Sequence, residues 1–365
     1  MPSVDFVNVS KSFDGMVALD RLTFDVEEGE YLCVLGPTGS GKTTLLRLVA
    51  GLIKPDSGTI FFDGKPVNDV SAQNRNAAYV PQQYALFPHL NVLENVAFGP
   101  LARGRPQNEA HEIASRCLEL VRLSWRSEAF PKELSGGMQQ RIALARALAS
   151  EARLLLLDEP LGALDARLRL DLRHKLRELV KEARLTAIHV THDRDEAMSV
   201  SDRIIILRRG RIDDCGMPDR VYERPKSIFA ANLIGGASFL EGVVEAIEQE
   251  SSTIRLRGGL LVRTPAHPFI ATEPVIIGVR KEKVLLSTKV ENCFDSEVRQ
   301  VRFLGNSREY LLRLSNGDLV SSRQFLEGKR ERFKVGDEIS VGFDREDVMI
   351  FAYPKEGLER ELEIV

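Results

Sequence analysis

The chain has 365 residues, 43% hydrophobic and 28% charged, an ordinary globular balance and long enough for two domains. Fifty basic against 53 acidic residues leave a net charge of -3, which argues against a nucleic-acid binder driven by phosphate neutralisation. Four scattered cysteines without a C-x-x-C pair exclude a disulfide frame and a cysteine zinc site; with no signal peptide and no apolar run of about 20 residues, a soluble cytosolic protein is expected.

In chain order, "EYLCVLG" reads as a short apolar strand and "KTTLLRLVAG" as a helix closed by Gly51. "GTIFFDG" is a further strand. Helical spacing follows in "EAHEIASRCLELVRL", then in "SGGMQQRIALARALAS", where Met138, Ile142, Ala145 and Leu148 form one apolar stripe. "RLLLLDEP", "TAIHVTHD" and "DRIIILRRGRI" are apolar runs of buried-strand length, and "ARLRLDLRHKLRELVKEA" is helical. Strands alternating with helices predict a largely parallel α/β sheet up to about residue 235.

From residue 236 short strands dominate: "FLEGVVEAI", "STIRLRGGLLVRT", "VIIGV", "EYLLRL", "EISVGF" and "VMIFA", with a hairpin signal at Asn316-Gly317. "GVRKEKVLL" from Gly278 matches "GFDREDVMI" from Gly342 in residue class, and "EGVVEAI" from Glu241 echoes "SEVRQVRFL" from Ser296. Two halves of a small β-barrel account for that repeat.

Chemistry concentrates in the first part. "GPTGSGKTT" (Gly36, Pro37, Thr38, Gly39, Ser40, Gly41, Lys42, Thr43, Thr44) fits G-x-x-x-x-G-K-[ST] between a strand and a helix, the context that makes it a phosphate cradle. The glycines let backbone N–H groups turn inward, Lys42 supplies a charge for the β- and γ-phosphates, and the Thr43 hydroxyl is placed for Mg²⁺. "LLLLDEP" brings Asp158 and Glu159 to a strand end, where open α/β sheets meet ligands; Asp158 is assigned to Mg²⁺ and Glu159 to general base. Ser135, Gly136 and Gly137 open a second helix with free N–H groups, a second anion site.

These motifs together resemble the ATPase subunit of ATP-binding cassette (ABC) transporters, whose hallmark is "LSGG" between the P-loop and the Asp-Glu pair. The resemblance runs over about residues 4 to 235. It implies a P-loop ATPase domain over residues 1–235 with a helical subdomain at about 84–150, using ATP and Mg²⁺. It also implies that Phe13 stacks on adenine, unless it is a core aromatic. Gln82, with Gln83 adjacent, would be the loop glutamine that reaches Mg²⁺ and the water. Asp165 would be the acidic residue of the D-loop "LGALDARLR", and His192 the switch histidine at the γ-phosphate.

In such proteins two subunits pack head to tail, so Ser135, Gly136 and Gly137 would serve the partner's nucleotide. The tail, residues 236–365, resembles the oligonucleotide-binding-like (TOBE) barrels of importer ATPases for sugars, polyamines, ferric iron, sulfate, molybdate and aminophosphonates. Lys281 stands where that tail's "G-[IV]-R-P-E" element usually has proline. The implied partners are a second copy, two transmembrane permease subunits and, indirectly, an extracytoplasmic substrate-binding protein, with no nucleic acid. The implied location is the cytoplasmic face of the cell membrane, peripherally attached.

Overall fold

The computed structural model describes residues 2–162, 164–326 and 332–363, which divide into two compact units at residues 220 and 221. The first unit is built on a six-stranded sheet in the order Arg211–Gly216, Arg203–Arg208, Tyr31–Leu35, Thr186–Thr191, Leu154–Asp158, Ala77–Val80. All neighbours are parallel except the first pair. Leu154–Asp158 and Thr186–Thr191 are buried along their whole length, as continuous apolar runs in a covered parallel sheet should be.

Two features depart from the sequence reading. "DRIIILRRGRI" is a hairpin rather than one run, because Arg209 and Gly210 take φ of 47° and 75° and reverse the chain. A second, antiparallel sheet of Met16–Val26, Val4–Phe13, Ser57–Phe62 and Lys65–Pro66 was not anticipated. Its signal was present: Val4 and Phe6, then Leu22, Phe24 and Val26, alternate and are buried. One core joins both sheets to the helix Lys42–Ala50.

The helices Val92–Ala102, Gln107–Leu120 and Gly136–Ala149 gather around a separate core. Ile142 and Ala145 are fully buried there, with Met138 and Leu148 packed against them, so the expected stripe faces inward.

The second unit holds two five-stranded antiparallel sheets sharing one core, the expected small β-barrel architecture. Both repeated segments are structural equivalents. "GVRKEKVLL" runs from the end of Pro274–Arg280 through a 3₁₀ turn into Leu285–Leu286, passing from the first sheet to the second. "GFDREDVMI" runs from Glu338–Phe343 through a 3₁₀ turn into Val348–Ala352 and passes back. Val244 and Val298 occupy matching positions in the two central strands. The Val244 N–H donates to Glu273 O at 3.0 Å and the Val298 N–H to Asp337 O at 3.0 Å. Each strand carries a bulge beside that valine.

Lys281, in the proline's place, donates to Glu309 Oε1 at 2.8 Å and so ties the first crossing to the second sheet. Next to it, Arg280 is 4% exposed, donates to Ala231 O at 2.6 Å and Tyr222 O at 2.7 Å, and lies 4.4 Å from the centre of the Tyr222 ring. Arg280→Ala should therefore destabilise this unit by about 2–4 kcal/mol, seen as a lower urea midpoint.

Candidate active site

The P-loop links the buried strand Tyr31–Leu35 to the helix Lys42–Ala50. Gly41 is the helix N-cap at φ 105°. A Cβ at Gly36 would lie 2.3 Å from Leu207 O, and one at Gly41 would lie 2.4 Å from Ala18 O, so neither position of the cradle accepts a side chain. The Ser40 hydroxyl is buried without a hydrogen-bond partner among the described residues. An orphaned donor in a glycine cradle at a helix start suits a phosphate oxygen. Lys42 folds back, its Nζ donating to Gly36 O at 2.8 Å and Pro37 O at 2.7 Å. Burial lowers its pKa, and the Glu159 and Asp158 charges oppose that.

Asp158 is 2% exposed at the end of its strand. Thr43 Oγ1 donates to Asp158 Oδ1 at 3.2 Å, and the Tyr79 hydroxyl donates to Oδ2 at 3.0 Å. Burial raises the Asp158 carboxyl above the usual aspartate range, while the Tyr79 and Thr43 hydrogen bonds pull it down. Burial also pushes the Tyr79 phenol up to about 12, helped by the Asp158 charge. A threonine hydroxyl beside a carboxylate is a hard oxygen set that fits Mg²⁺. Tyr79 was not singled out from the sequence, because nothing in the text places it beside Asp158. Tyr79→Phe would leave a buried carboxylate oxygen short of its donor, and we expect a lower urea midpoint, by about 1–3 kcal/mol.

Glu159 follows at φ 49°, an uncommon left-handed conformation for a non-glycine residue. Its Oε1 lies 3.0 Å from His192 Nδ1, and Gln82 Nε2 donates to its Oε2 at 3.2 Å. Of the adjacent glutamines, Gln82 is thus the one whose side chain reaches this carboxylate. The His192 ring is 62% exposed, so its far edge faces open space. The Thr191 hydroxyl fixes that turn, accepting from the Asp193 N–H at 2.9 Å and donating to the buried Glu196 at 2.8 Å.

The other expected residues stand apart from this cluster. Phe13 ends its strand 45% exposed, with Lys11 Nζ 5.4 Å from its ring centre, so it is no core aromatic. Ser135 caps the helix Gly136–Ala149, accepting from the Met138 N–H at 3.4 Å; Ser135 and Gly136 are exposed. Among the described residues no hydrogen bond joins them to the P-loop. Asp165 is the exposed N-cap of Ala166–Glu182, accepting from the Leu168 N–H at 3.0 Å; Ala163 in the same loop lies outside the described residues.

Comparison with known proteins places this geometry in a family. The ABC transporter profile matches residues 19–162, and the TOBE domain profile matches residues 277–351. The spermidine/putrescine import ATP-binding protein PotA of Rubrobacter xylanophilus is 40% identical over 352 residues, 95% of this chain and 93% of that one. The chain belongs to the ATP-binding subunits of ABC transporters. Another relative of this ABC ATPase is the Fe(3+) ions import ATP-binding protein FbpC of Brucella abortus, 44% identical over 317 residues, 87% of this chain and 89% of that one. Among solved structures, the dimeric ATP-binding cassette MJ0796 bound to ADP and Pi is 33% identical, with a TM-score of 0.56. It covers 59% of this chain and 98% of that one. No helix among the described residues of the ABC ATPase is long and apolar enough to cross a membrane.

Proposed function

We propose that this ABC ATPase hydrolyses Mg-ATP between two copies of itself and drives uptake of a small solute through separate permease subunits. The observation that carries the reading is the cluster of Glu159, His192 and Gln82 beside the P-loop and Asp158. Lys42 exchanges its two carbonyl acceptors for phosphate oxygens when nucleotide binds. Thr43 and Asp158, with Gln82, would hold Mg²⁺, which would supply positive charge against the phosphates.

Glu159 accepts a proton from a water attacking the γ-phosphorus; the bond to the β–γ bridging oxygen breaks, releasing ADP and phosphate. His192 pairs its Nδ1 with Glu159 and turns its other ring edge toward the γ-phosphate. Phe13 presents its ring to adenine. Ser135, Gly136, Gly137 and Asp165 complete the site of the partner copy, and ATP thereby favours the closed pair.

Relatives named for two different cargoes, polyamines and ferric ions, match at 40% and 44% identity. That fits a subunit whose cargo touches other polypeptides, and polyamine, ferric iron, sugar, inorganic anion and aminophosphonate uptake share this machinery. The chain acts peripherally at the cytoplasmic face of the membrane. Affinity purification of the tagged chain from gently solubilised membranes tests this, with companions identified by mass spectrometry. A multi-span permease with an extracytoplasmic binding protein is the expected result; ribosomal or repair proteins without a membrane partner would sink the transport reading.

A further inference from the structure

The backbone of Glu159 is held by groups from three directions. Its N–H donates to Val190 O at 3.0 Å on the neighbouring strand. Its carbonyl accepts from the Gly162 N–H at 3.3 Å and, more closely, from Gln140 Nε2 at 2.9 Å. Gln140 is 3% exposed and stands in the first half of the helix Gly136–Ala149, the helix that begins at the Ser-Gly-Gly turn. Only the nitrogen of its amide can face a carbonyl oxygen.

Glu159 needs such holding. It takes φ 49° and precedes Pro160, a position where the chain is otherwise steered to extended conformations. A non-glycine residue in the left-handed region persists only where its surroundings over-determine it. The carboxylate direction follows from that backbone, so releasing the carbonyl lets the side chain swing away from His192 and Gln82.

We propose that Gln140 is a positioning residue for the hydrolytic site. It locks the Glu159 peptide and references the general base to the same helix that offers its N-terminus to the partner's nucleotide. The proposal rests on Glu159 being the general base. ATP binding itself, which uses the P-loop, does not depend on Gln140.

The test compares the full chain with Gln140→Met, which keeps length and removes the donor, and with Gln140→Glu, which keeps shape and puts an acceptor against the carbonyl. Turnover, fluorescent ATP-analogue affinity, melting temperature and light scattering in saturating Mg-ATP are measured on each. Gln140→Met should lose at least tenfold in kcat, keep KM and nucleotide affinity within twofold, and accumulate an ATP-bound dimer. Gln140→Glu should be slower still wherever it folds.

A kcat within twofold of the parent for Gln140→Met would overturn the proposal. So would joint loss of nucleotide affinity, dimer and melting temperature, which marks a merely structural residue. Glu159→Gln is the control for the underlying reading: hydrolysis at the parent rate in that variant removes the general base itself, whatever Gln140 does.

Discussion

Glu159→Gln should lower ATP turnover by roughly 10²–10⁴-fold while leaving ATP affinity near that of the parent. The substitution keeps the size of the side chain and one acceptor oxygen, so one of the contacts to His192 and Gln82, which lie 3.0 and 3.2 Å away, is retained. It removes the basic oxygen proposed to take the proton from water. Because the P-loop and Lys42 are untouched, nucleotide still binds, and the closed pair accumulates for want of hydrolysis. Steady-state phosphate release and light scattering in Mg-ATP check both halves. Parent-like turnover would move the base elsewhere, and loss of ATP binding would mean that Glu159 supports the cradle instead.

The second large effect is expected at Gly41. Alanine there must adopt φ 105°, outside the comfortable range of an L-residue, and its Cβ would lie 2.4 Å from Ala18 O and 2.7 Å from Leu19 Cδ2. Those atoms belong to the strand Met16–Val26, so relief requires the P-loop or that strand to shift. Backbone strain of this kind costs about 1–3 kcal/mol. A displacement of about 1 Å in a phosphate cradle costs on the order of 100-fold in turnover. We therefore expect Gly41→Ala to lower the urea midpoint and to abolish most nucleotide binding by fluorescence titration. Gly39→Ala is the milder comparison, since at φ 81° its Cβ would meet nothing within 4 Å.

Legibility in the sequence followed chain continuity. Gly36 to Thr44, Asp158 with Glu159, and Ser135 to Gly137 each carry their chemistry in consecutive residues, so spacing alone exposes them. The adjacent pair Gln82 and Gln83 could be separated only by the 3.2 Å contact to Glu159. Tyr79 and Gln140 were invisible for a different reason. Each reaches the site by a hydrogen bond to a residue 79 or 19 positions away, and a tyrosine in a strand or a glutamine in a helix has no distinguishing pattern.

The parallel sheet is legible in its apolar runs, whereas the N-terminal antiparallel sheet shows only as period-two alternation, which the strand–helix alternation around it masks. In the tail, the weak repeat has a structural basis. Its two segments are the two crossings between sheets, where a similar local geometry demands similar residues.

On the proposed function, each nucleotide lies between the P-loop of one copy and the Ser-Gly-Gly turn of the other. The deciding experiment co-expresses two differently tagged chains, one Lys42→Ala and one Ser135→Arg, and isolates the mixed pair. Each variant alone should be nearly inactive, since both of its sites carry one defect. In the mixed pair both defects fall in one site and the other is intact, so hydrolysis should return. A mixed pair as inactive as its parents, with both chains folded and paired, would contradict the account and assign the P-loop and the Ser-Gly-Gly turn to the same chain's nucleotide.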